Sequence, residues 1–221
     1  MKKYQYLLLP AITLTIFIVW TIIVKTVDVQ YIQDVGFLGF YSFNTSINDK
    51  VQSLNPTLFH AISNGFLFAS FLTVVPFAIM GLVQLIVRKS FKKVDKIIYL
   101  LLVSYVVMVI IYFIFEIVKI NYSPLSVKDD LKASYPSSHV FIFINILGVN
   151  LFGFLYYTRP NKTGKIIAFC VVIGLFIAML VFRLLSGHHY FTDIVGALFL
   201  SFFQLSLFDS TVALFIKEQN K

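Results

Sequence analysis

Charged side chains and cysteine are both scarce in this sequence. Asp, Glu, Lys and Arg make up 13% of its 221 residues, about half of the fraction usual in soluble domains. That scarcity, with a mean hydropathy of +0.88, excludes a soluble globular protein and indicates one membrane-embedded domain over residues 1–221. The lone Cys170 excludes an internal disulfide. Because cysteines and histidines also lack the spacing of zinc sites, we expect neither a metal nor another cofactor.

Six apolar runs have about the length of a membrane-spanning helix, which needs about 20 residues to cross a hydrocarbon core of about 30 Å. They are Tyr6–Val24, Phe59–Val87, Ile97–Val118, Val140–Tyr157, Ile166–Val181 and Ile194–Ile216. The sequence therefore predicts an all-α protein with six transmembrane helices in one bundle. Pro76 and Gly81 permit a kink in the second run. The first run is longer than a signal-peptide core and no small-residue cleavage site follows it, so we expect a retained helix.

Lysines and arginines are distributed unequally between the loops. If the amino terminus is inside, the inside segments hold 12 of these residues and the outside segments hold 6. The positive-inside rule then places both termini in the cytoplasm, and the polar segments around His139 and His189 on the outer face. The net charge of +8 accordingly indicates topology signals and contact with anionic lipid head groups. We expect no nucleic-acid partner, and a multi-pass protein of the cell membrane whose functional face is extracytoplasmic.

The segment Arg183–Asp193 places ionisable side chains between two apolar runs, where they are costly and usually functional. His189 and Asp193 are spaced i, i+4 and would face one side of a helix. Asp193 either fixes the imidazole tautomer, leaving the other ring nitrogen as a nucleophile or base, or only caps the last helix. His188 is spaced i, i+5 from Asp193, which is a poorer match. Arg183 is either a bidentate phosphate contact or a snorkelling arginine at a helix end.

A second polar break, Tyr135–His139, is expected on the same membrane face. Pro136 suits the first turn of a helix, where unpaired N–H groups attract anions. The backbone near Ser137 and Ser138 is thus a candidate phosphate contact, and His139 is a candidate proton donor to a leaving oxygen. The alternative is a serine-rich helix cap with an incidental histidine.

Other polar residues near the outer face have weaker signals. Lys119 is either a further phosphate contact or a snorkelling lysine that ends the third helix, and Glu116, one turn earlier, is placed to pair with it. His60 has no partner motif and is interpreted as structural or interfacial. The first outside loop contains a candidate short helix in Asn44–Leu54, which either lies on the membrane surface or belongs to a solvated connector.

Together these residues resemble the motifs of the phosphatidic acid phosphatase type 2 superfamily of membrane lipid phosphatases. Its third motif, Ser-Arg-x5-His-x3-Asp, is matched by Arg183, His189 and Asp193, with Phe182 in the serine position. Its second motif, Pro-Ser-Gly-His, is matched at 136–139, with serine in the glycine position. The six-helix layout with these motifs on the outer face is also similar.

The first motif of that superfamily, Lys-x6-Arg-Pro, is incomplete here. After Lys119 and six further residues the sequence reads Ser126-Val127 in place of Arg-Pro. Lys128 and Lys132 lie in the same loop and are candidates for the missing cation, although lysine lacks the bidentate fork of arginine. This departure bears on substrate choice and efficiency more than on the type of reaction.

The resemblance implies a lipid phosphatase that transfers the phosphoryl group in two steps, first to one of its own histidines and then to water. His189 would attack phosphorus to form a phosphohistidine, Asp193 would hold its ring, and His139 would protonate the leaving group before water clears the intermediate. The groups implied to contact the phosphate are Arg183, Lys119, Lys128 and the backbone at Ser137 and Ser138.

The implied substrate is a lipid phosphate held in the bilayer, with undecaprenyl pyrophosphate, phosphatidylglycerol phosphate and phosphatidic acid as the usual choices of the superfamily. Two alternatives stay open. One is a lipid-linked phosphotransferase on the same fold, and the other is a non-catalytic phospholipid-binding or transport protein with a degenerate first motif. The oligomeric state is not predicted.

Overall fold

The structure is a computed structural model that describes residues 3–217, with side chains described for residues 5–216. Lys2 and Lys221, which enter the charge count above, lie outside the described residues. The α-helices are α1 (Leu8–Thr26), α2 (Tyr41–Gln52), α3 (Pro56–Leu72), α4 (Val75–Arg88), α5 (Lys96–Ile117), α6 (Ser138–Thr158), α7 (Lys162–Leu185) and α8 (Phe191–Val212). Two short strands, β1 (Gln30–Ile32) and β2 (Gly36–Leu38), form an antiparallel hairpin. Short helical turns of other types are Lys3–Leu7, Phe91–Lys93 and Ala213–Lys217.

Six helical spans in the described part of the chain are long and apolar enough to cross a membrane. They are Gln5–Thr26, Pro56–Arg88, Lys96–Ile117, Ser138–Thr158, Lys162–Leu185 and Phe191–Ile216. The predicted all-α bundle with six transmembrane spans is thus confirmed. The fifth span is longer than its apolar run, which places Arg183 in the last turn of α7.

The second span is divided into α3 and α4 at the position where the sequence has a proline. Pro76 lacks an N–H, and its ring clashes with the carbonyl four residues earlier, which belongs to Leu72, the last residue of α3. The chain turns there through hydrogen bonds that span three residues instead of four. They run from Thr73 N–H to the Ser70 carbonyl at 3.0 Å and from Val74 N–H to the Phe71 carbonyl at 3.0 Å. The division follows from the missing donor and the steric clash.

The helices α6 and α8 form the centre of the bundle, and the other spans surround them. Most of α6 and more than half of α8 are buried, and their facing side chains, such as Ile144 and Ala197, have no exposed surface. Hydrogen bonds link the helices inside this apolar core: Asn145 donates to Ser201 Oγ at 3.2 Å, and Gln204 donates to the Ser104 carbonyl of α5 at 2.8 Å. We call Ser104, Asn145, Ser201 and Gln204 the buried polar row. Such bonds hold membrane helices together where the hydrophobic effect does not.

One end of the bundle is tied together by Asp95, which precedes α5. Its carboxylate accepts hydrogen bonds from Arg88 at 2.7 Å, Gln84 at 2.8 Å and Tyr157 at 3.0 Å, so α4, α5 and α6 meet at one side chain. Partial burial would raise the pKa of Asp95, but the hydrogen bonds from Arg88, Tyr157 and Gln84 lower it below the ordinary value. The carboxylate is therefore charged and partnered.

At the opposite end, the first long loop packs onto the start of α8. The segment predicted as a candidate short helix is α2, which begins at Tyr41 and ends at Gln52. Asn44 of α2 is fully buried and donates to Thr192 Oγ1 at 2.9 Å and to the Gly39 carbonyl at 2.9 Å. This helix is part of the packed structure around α8.

Candidate active site

A cavity of about 450 Å³ opens where α5 and α7 end and where α6 and α8 begin. It lies at the end of the bundle opposite Asp95. Its lining residues are Glu116, Lys119, Ser123, Leu131, Lys132, Ala133, Ser138, His139, Arg183, His188 and His189. Of the residues expected to form a site, His139, Ser138, Arg183, His189 and Lys119 meet here, although they come from three separate stretches of the chain.

His189 lies at the inner wall of the cavity, just before α8. Its Nδ1 is 3.0 Å from the Ser134 carbonyl oxygen and 3.9 Å from Asp193 Oδ2. Because both neighbours are acceptors, Nδ1 carries the proton and Nε2 keeps its lone pair. Burial, followed by the charges of Arg183 and His139, lowers the pKa of His189 well below the ordinary value for histidine. The ring is therefore neutral at neutral pH and has a free nucleophilic nitrogen.

Asp193 lies behind His189 in the first turn of α8 and is fully buried. Its Oδ2 accepts the backbone N–H of Tyr190 at 3.0 Å, and its Oδ1 is 3.5 Å from the Asn121 amide nitrogen. The two interpretations of Asp193, helix cap and histidine partner, are thus compatible in one geometry. The carboxylate is near His189, while the hydrogen bond to the ring comes from the Ser134 carbonyl.

Arg183 is a buried cation without a carboxylate partner among the described residues. Only 3% of its surface is exposed, although it lines the cavity. Its Nη1 is 3.3 Å from His60 Nδ1 and 3.5 Å from Ser63 Oγ, and its buried Nε has no partner. A buried charge is normally paired, so a bound anion would stabilise this guanidinium.

The start of α6 brings His139 and the first N–H groups of the helix to the cavity. His139 Nδ1 is buried and has no hydrogen-bond partner, and the first N–H groups of a helix have no partner within it. Ser137 is fully buried, and its N–H donates to the Asp193 carbonyl at 3.0 Å. Ser137 therefore connects α6 to α8, and the helix turn that begins at Ser138 is the part that faces the cavity.

The three lysines of the α5–α6 loop differ in position. Lys119 lines the cavity and donates to the Leu131 carbonyl at 3.0 Å, rather than pairing with Glu116. Lys132 also lines the cavity, and its Nζ is 2.8 Å from Asp130. Lys128 does not: its exposed side chain lies 3.7 Å from Asp34 of the hairpin loop. The structure therefore brings Lys119 and Lys132 to the cavity, and leaves Lys128 outside it.

His60 of α3 lies against the site, a position that sequence reasoning missed. Besides its contact with Arg183, its ring stacks on that of His188 with centroids 3.8 Å apart and planes 9° apart. The only signal in the sequence was an ionisable residue in an apolar run. Ser134 and Asn121, which contact His189 and Asp193, had no signal at all, because loop residues of this type are common and their contacts depend on the tertiary fold.

No group of three or more His, Cys, Asp or Glu side chains in residues 3–217 is arranged to hold a metal ion. In the site, His189 contacts the Ser134 carbonyl, and the rings of His60 and His188 stack on each other. That the protein works without a metal stays a prediction.

Comparisons with known proteins concern the family and the fold of the chain. A family model described as the PAP2 superfamily matches residues 115–212, the part of the chain that carries His139, Arg183, His189 and Asp193. Among solved structures, the chain is similar to the crystal structure of the first transmembrane PAP2-type phosphatidylglycerolphosphate phosphatase from Bacillus subtilis. The TM-score is 0.67 with 15% sequence identity, over 96% of this chain and 98% of that chain. At that identity the likeness shows a common fold. No curated protein matches the sequence.

Proposed function

We propose that this protein is a membrane lipid phosphatase that removes phosphate in the cavity between α5, α6, α7 and α8, because residues 115–212 match a family model described as the PAP2 superfamily. The observation that carries the proposal is the buried guanidinium of Arg183. Moving a cation out of water costs several kcal/mol, and no acidic side chain in the described structure offsets that cost. A phosphate bound side-on to Arg183 would do so, since the fork of arginine matches two phosphate oxygens.

The proposed reaction begins with His189. Its Nε2 lone pair attacks phosphorus, a bond forms from Nε2 to phosphorus, and the bond from phosphorus to the lipid oxygen breaks. His139 gives a proton to the departing oxygen, so the lipid leaves as an alcohol or, from a pyrophosphate, as a monophosphate. Arg183, Lys119 and the N–H groups at the start of α6 stabilise the charge on the phosphoryl oxygens.

The second step regenerates the enzyme. Water attacks the phosphohistidine, His139 accepts a proton from that water, and inorganic phosphate leaves as the Nε2–phosphorus bond breaks. Throughout, the Ser134 carbonyl keeps the proton on Nδ1, and the Asp193 carboxylate opposes the positive charge that develops on the ring.

The proposed substrate has apolar chains in the bilayer and a phosphate at its surface. The cavity lies at the ends of the spanning helices, where head groups are found. The solved structure named above is that of a phosphatidylglycerolphosphate phosphatase, so that lipid is the first to be tested here, with undecaprenyl pyrophosphate and phosphatidic acid as competitors. We place the reaction on the extracytoplasmic face of the cell membrane, from the distribution of lysine and arginine.

The test is release of inorganic phosphate by the purified full chain in lipid nanodiscs, from each of the three lipids and without added metal. We expect His189→Ala to lower kcat by about three orders of magnitude or more, because the change removes the proposed nucleophile. Phe202→Ala, an exposed site on α8, is the control. Equal rates for His189→Ala and the parent would show that the nucleophile is wrong, and no release from any lipid by the parent would favour the non-catalytic alternative.

A further inference from the structure

Arg183 is held from outside the matched family region, by side chains of α3. His60 and Ser63 are one helical turn apart and both face Nη1 of Arg183, at 3.3 Å and 3.5 Å. Both therefore engage the same nitrogen of the guanidinium. Nε, on the other edge, is buried and unpartnered. The edge formed by Nε and Nη2 is the one that remains for a ligand.

The proton positions on His60 follow from the chemistry of arginine. A guanidinium only donates, so Nδ1 of His60 accepts from Arg183, and the neutral ring carries its proton on Nε2. The amide nitrogen Nδ2 of Asn64 lies 3.0 Å from Nε2. Because Nε2 donates in this tautomer, the amide must be turned over so that its oxygen accepts the proton, an assignment that the hydrogen-bond network decides. In that orientation Asn64 supports the tautomer of His60 that accepts from Arg183.

His188 restrains the same ring from its face. The stack of His60 on His188 is close to parallel, at 3.8 Å, and His188 is itself fixed by a 2.8 Å hydrogen bond between its Nδ1 and the Ser186 carbonyl. His60 is therefore restrained at both ring nitrogens and on one face. A ring held this firmly fixes the plane of the guanidinium that it contacts.

We infer that His60 is a positioning residue, which turns the Nε and Nη2 edge of Arg183 toward the phosphate of the substrate. The inference rests on the proposed function, and deepens it by adding α3 to a site that the family match confines to residues 115–212. It also assigns a role to His188, which supports His60 rather than acting as the nucleophile.

The first experiment replaces His60 in the full chain by alanine and by asparagine. We expect H60A to weaken orthophosphate binding, measured by calorimetry, and to lower kcat/KM by about 10- to 100-fold, the usual effect of a small misplacement of a catalytic group. Asparagine places its amide oxygen near the position of Nδ1, so H60N should restore most of the loss. Phe68→Ala, on an exposed part of the same helix, is the control for a general disturbance of α3.

The second experiment combines H60A with Arg183→Ala. If His60 acts through Arg183, the double variant should be no worse than Arg183→Ala alone, whereas a structural role would give additive losses. Additive losses, or an H60N protein as defective as H60A, would overturn the inference.

The two proposals fail in different ways. A parent protein that binds orthophosphate but releases none from lipids contradicts the phosphatase proposal. In that case the dissociation constants for orthophosphate of the parent, H60A, H60N and Phe68→Ala still decide the role of His60. A parent protein that releases phosphate from a lipid, with a kcat/KM that H60A leaves unchanged, contradicts only the role of His60.

Discussion

At the residue scale, the carboxylate of Asp193 has two roles, as a cap of α8 and as a negative charge near His189. One oxygen accepts the Tyr190 N–H and so caps α8, and the same oxygen lies 3.9 Å from Nδ1 of His189. The carbonyl of Ser134 is closer to that nitrogen, at 3.0 Å. We conclude that the backbone selects the tautomer of His189, and that Asp193 contributes negative charge and a helix cap.

This division of labour predicts a moderate effect of Asp193→Asn. The amide oxygen can still accept the Tyr190 N–H, and the Ser134 carbonyl still holds the proton on Nδ1. We therefore expect kcat to fall by about 10- to 100-fold through loss of the charge, rather than by the roughly 10⁴-fold seen where an aspartate sets the tautomer of a catalytic histidine.

The matched variant is Asp193→Ala, which should lose about 1 kcal/mol of stability in addition, because the cap is gone. Both are checked by phosphate-release kinetics and thermal unfolding in detergent. A 10⁴-fold loss in Asp193→Asn with an unchanged unfolding midpoint would mean that Asp193, and not Ser134, sets the tautomer.

At the residue scale, the sequence was informative where spacing along the chain carried the information. The intervals between Arg183, His189 and Asp193 were enough to identify a cluster, and the structure brings the three together. The intervals to His60 and Ser134 carry no such information, because these residues reach the site only through the packing of α3 and of the α5–α6 loop. Lys128 shares its loop with Lys119 and Lys132, but position in a loop does not determine which lysine faces the cavity.

At the scale of elements, the contact between α8 and the segment before α6 is unusually close. A Cβ on Gly196 would lie 2.4 Å from Cε2 of Tyr135. The ring of Tyr135 is 1% exposed, and its hydroxyl shares a 2.7 Å hydrogen bond with Thr21 of α1. Burial, partly offset by Thr21, raises the pKa of Tyr135. The side chain of Tyr135 is therefore neutral and closely packed on all sides.

We predict that Gly196→Ala destabilises the protein by about 1–3 kcal/mol, the usual cost of overpacking, and lowers kcat because Tyr135 adjoins the start of α6. Gly174→Ala is the matched control, since a Cβ there meets nothing within 4 Å. It should be neutral or stabilising by up to about 1 kcal/mol through helix propensity. Unfolding midpoints in detergent measure both, and equal midpoints would contradict the close contact.

The elements themselves were largely predictable. The apolar runs identified all six spans because a helix is the simplest structure that satisfies its own backbone in lipid, and Pro76 marked the break between α3 and α4. The ends were less predictable: α7 extends beyond its apolar run at both ends, because its terminal turns continue in helical form where polar side chains begin. The hairpin of β1 and β2 depends on tertiary contacts that no periodicity records.

At the scale of the whole molecule, a group of eight basic residues and the cavity lie at opposite ends. The basic residues next to the Asp95 end are Arg88, Lys89, Lys92, Lys93, Lys96, Arg159, Lys162 and Lys165. The positive-inside rule therefore predicts that this end is cytoplasmic and that the cavity is outside. The geometry separates the two ends, and the side on which each end lies stays a prediction from the charge distribution.

Cysteine labelling of intact cells tests this orientation. After Cys170, which is exposed, is replaced by alanine, Val127→Cys and Phe91→Cys place single thiols at exposed sites on opposite ends. We expect a membrane-impermeant maleimide to label Val127→Cys in intact cells and Phe91→Cys only after lysis. The reverse pattern would place the cavity in the cytoplasm.

The buried polar row also bears on the order in which the helices assemble. Gln204 of α8 finds its partner on another helix, because its amide donates to the Ser104 carbonyl of α5. The ribosome makes α8 after α1, α5 and α6, the helices that supply most of its contacts. Asp193 belongs to α8, so we expect the proposed site to be complete only after this last helix has packed against the others.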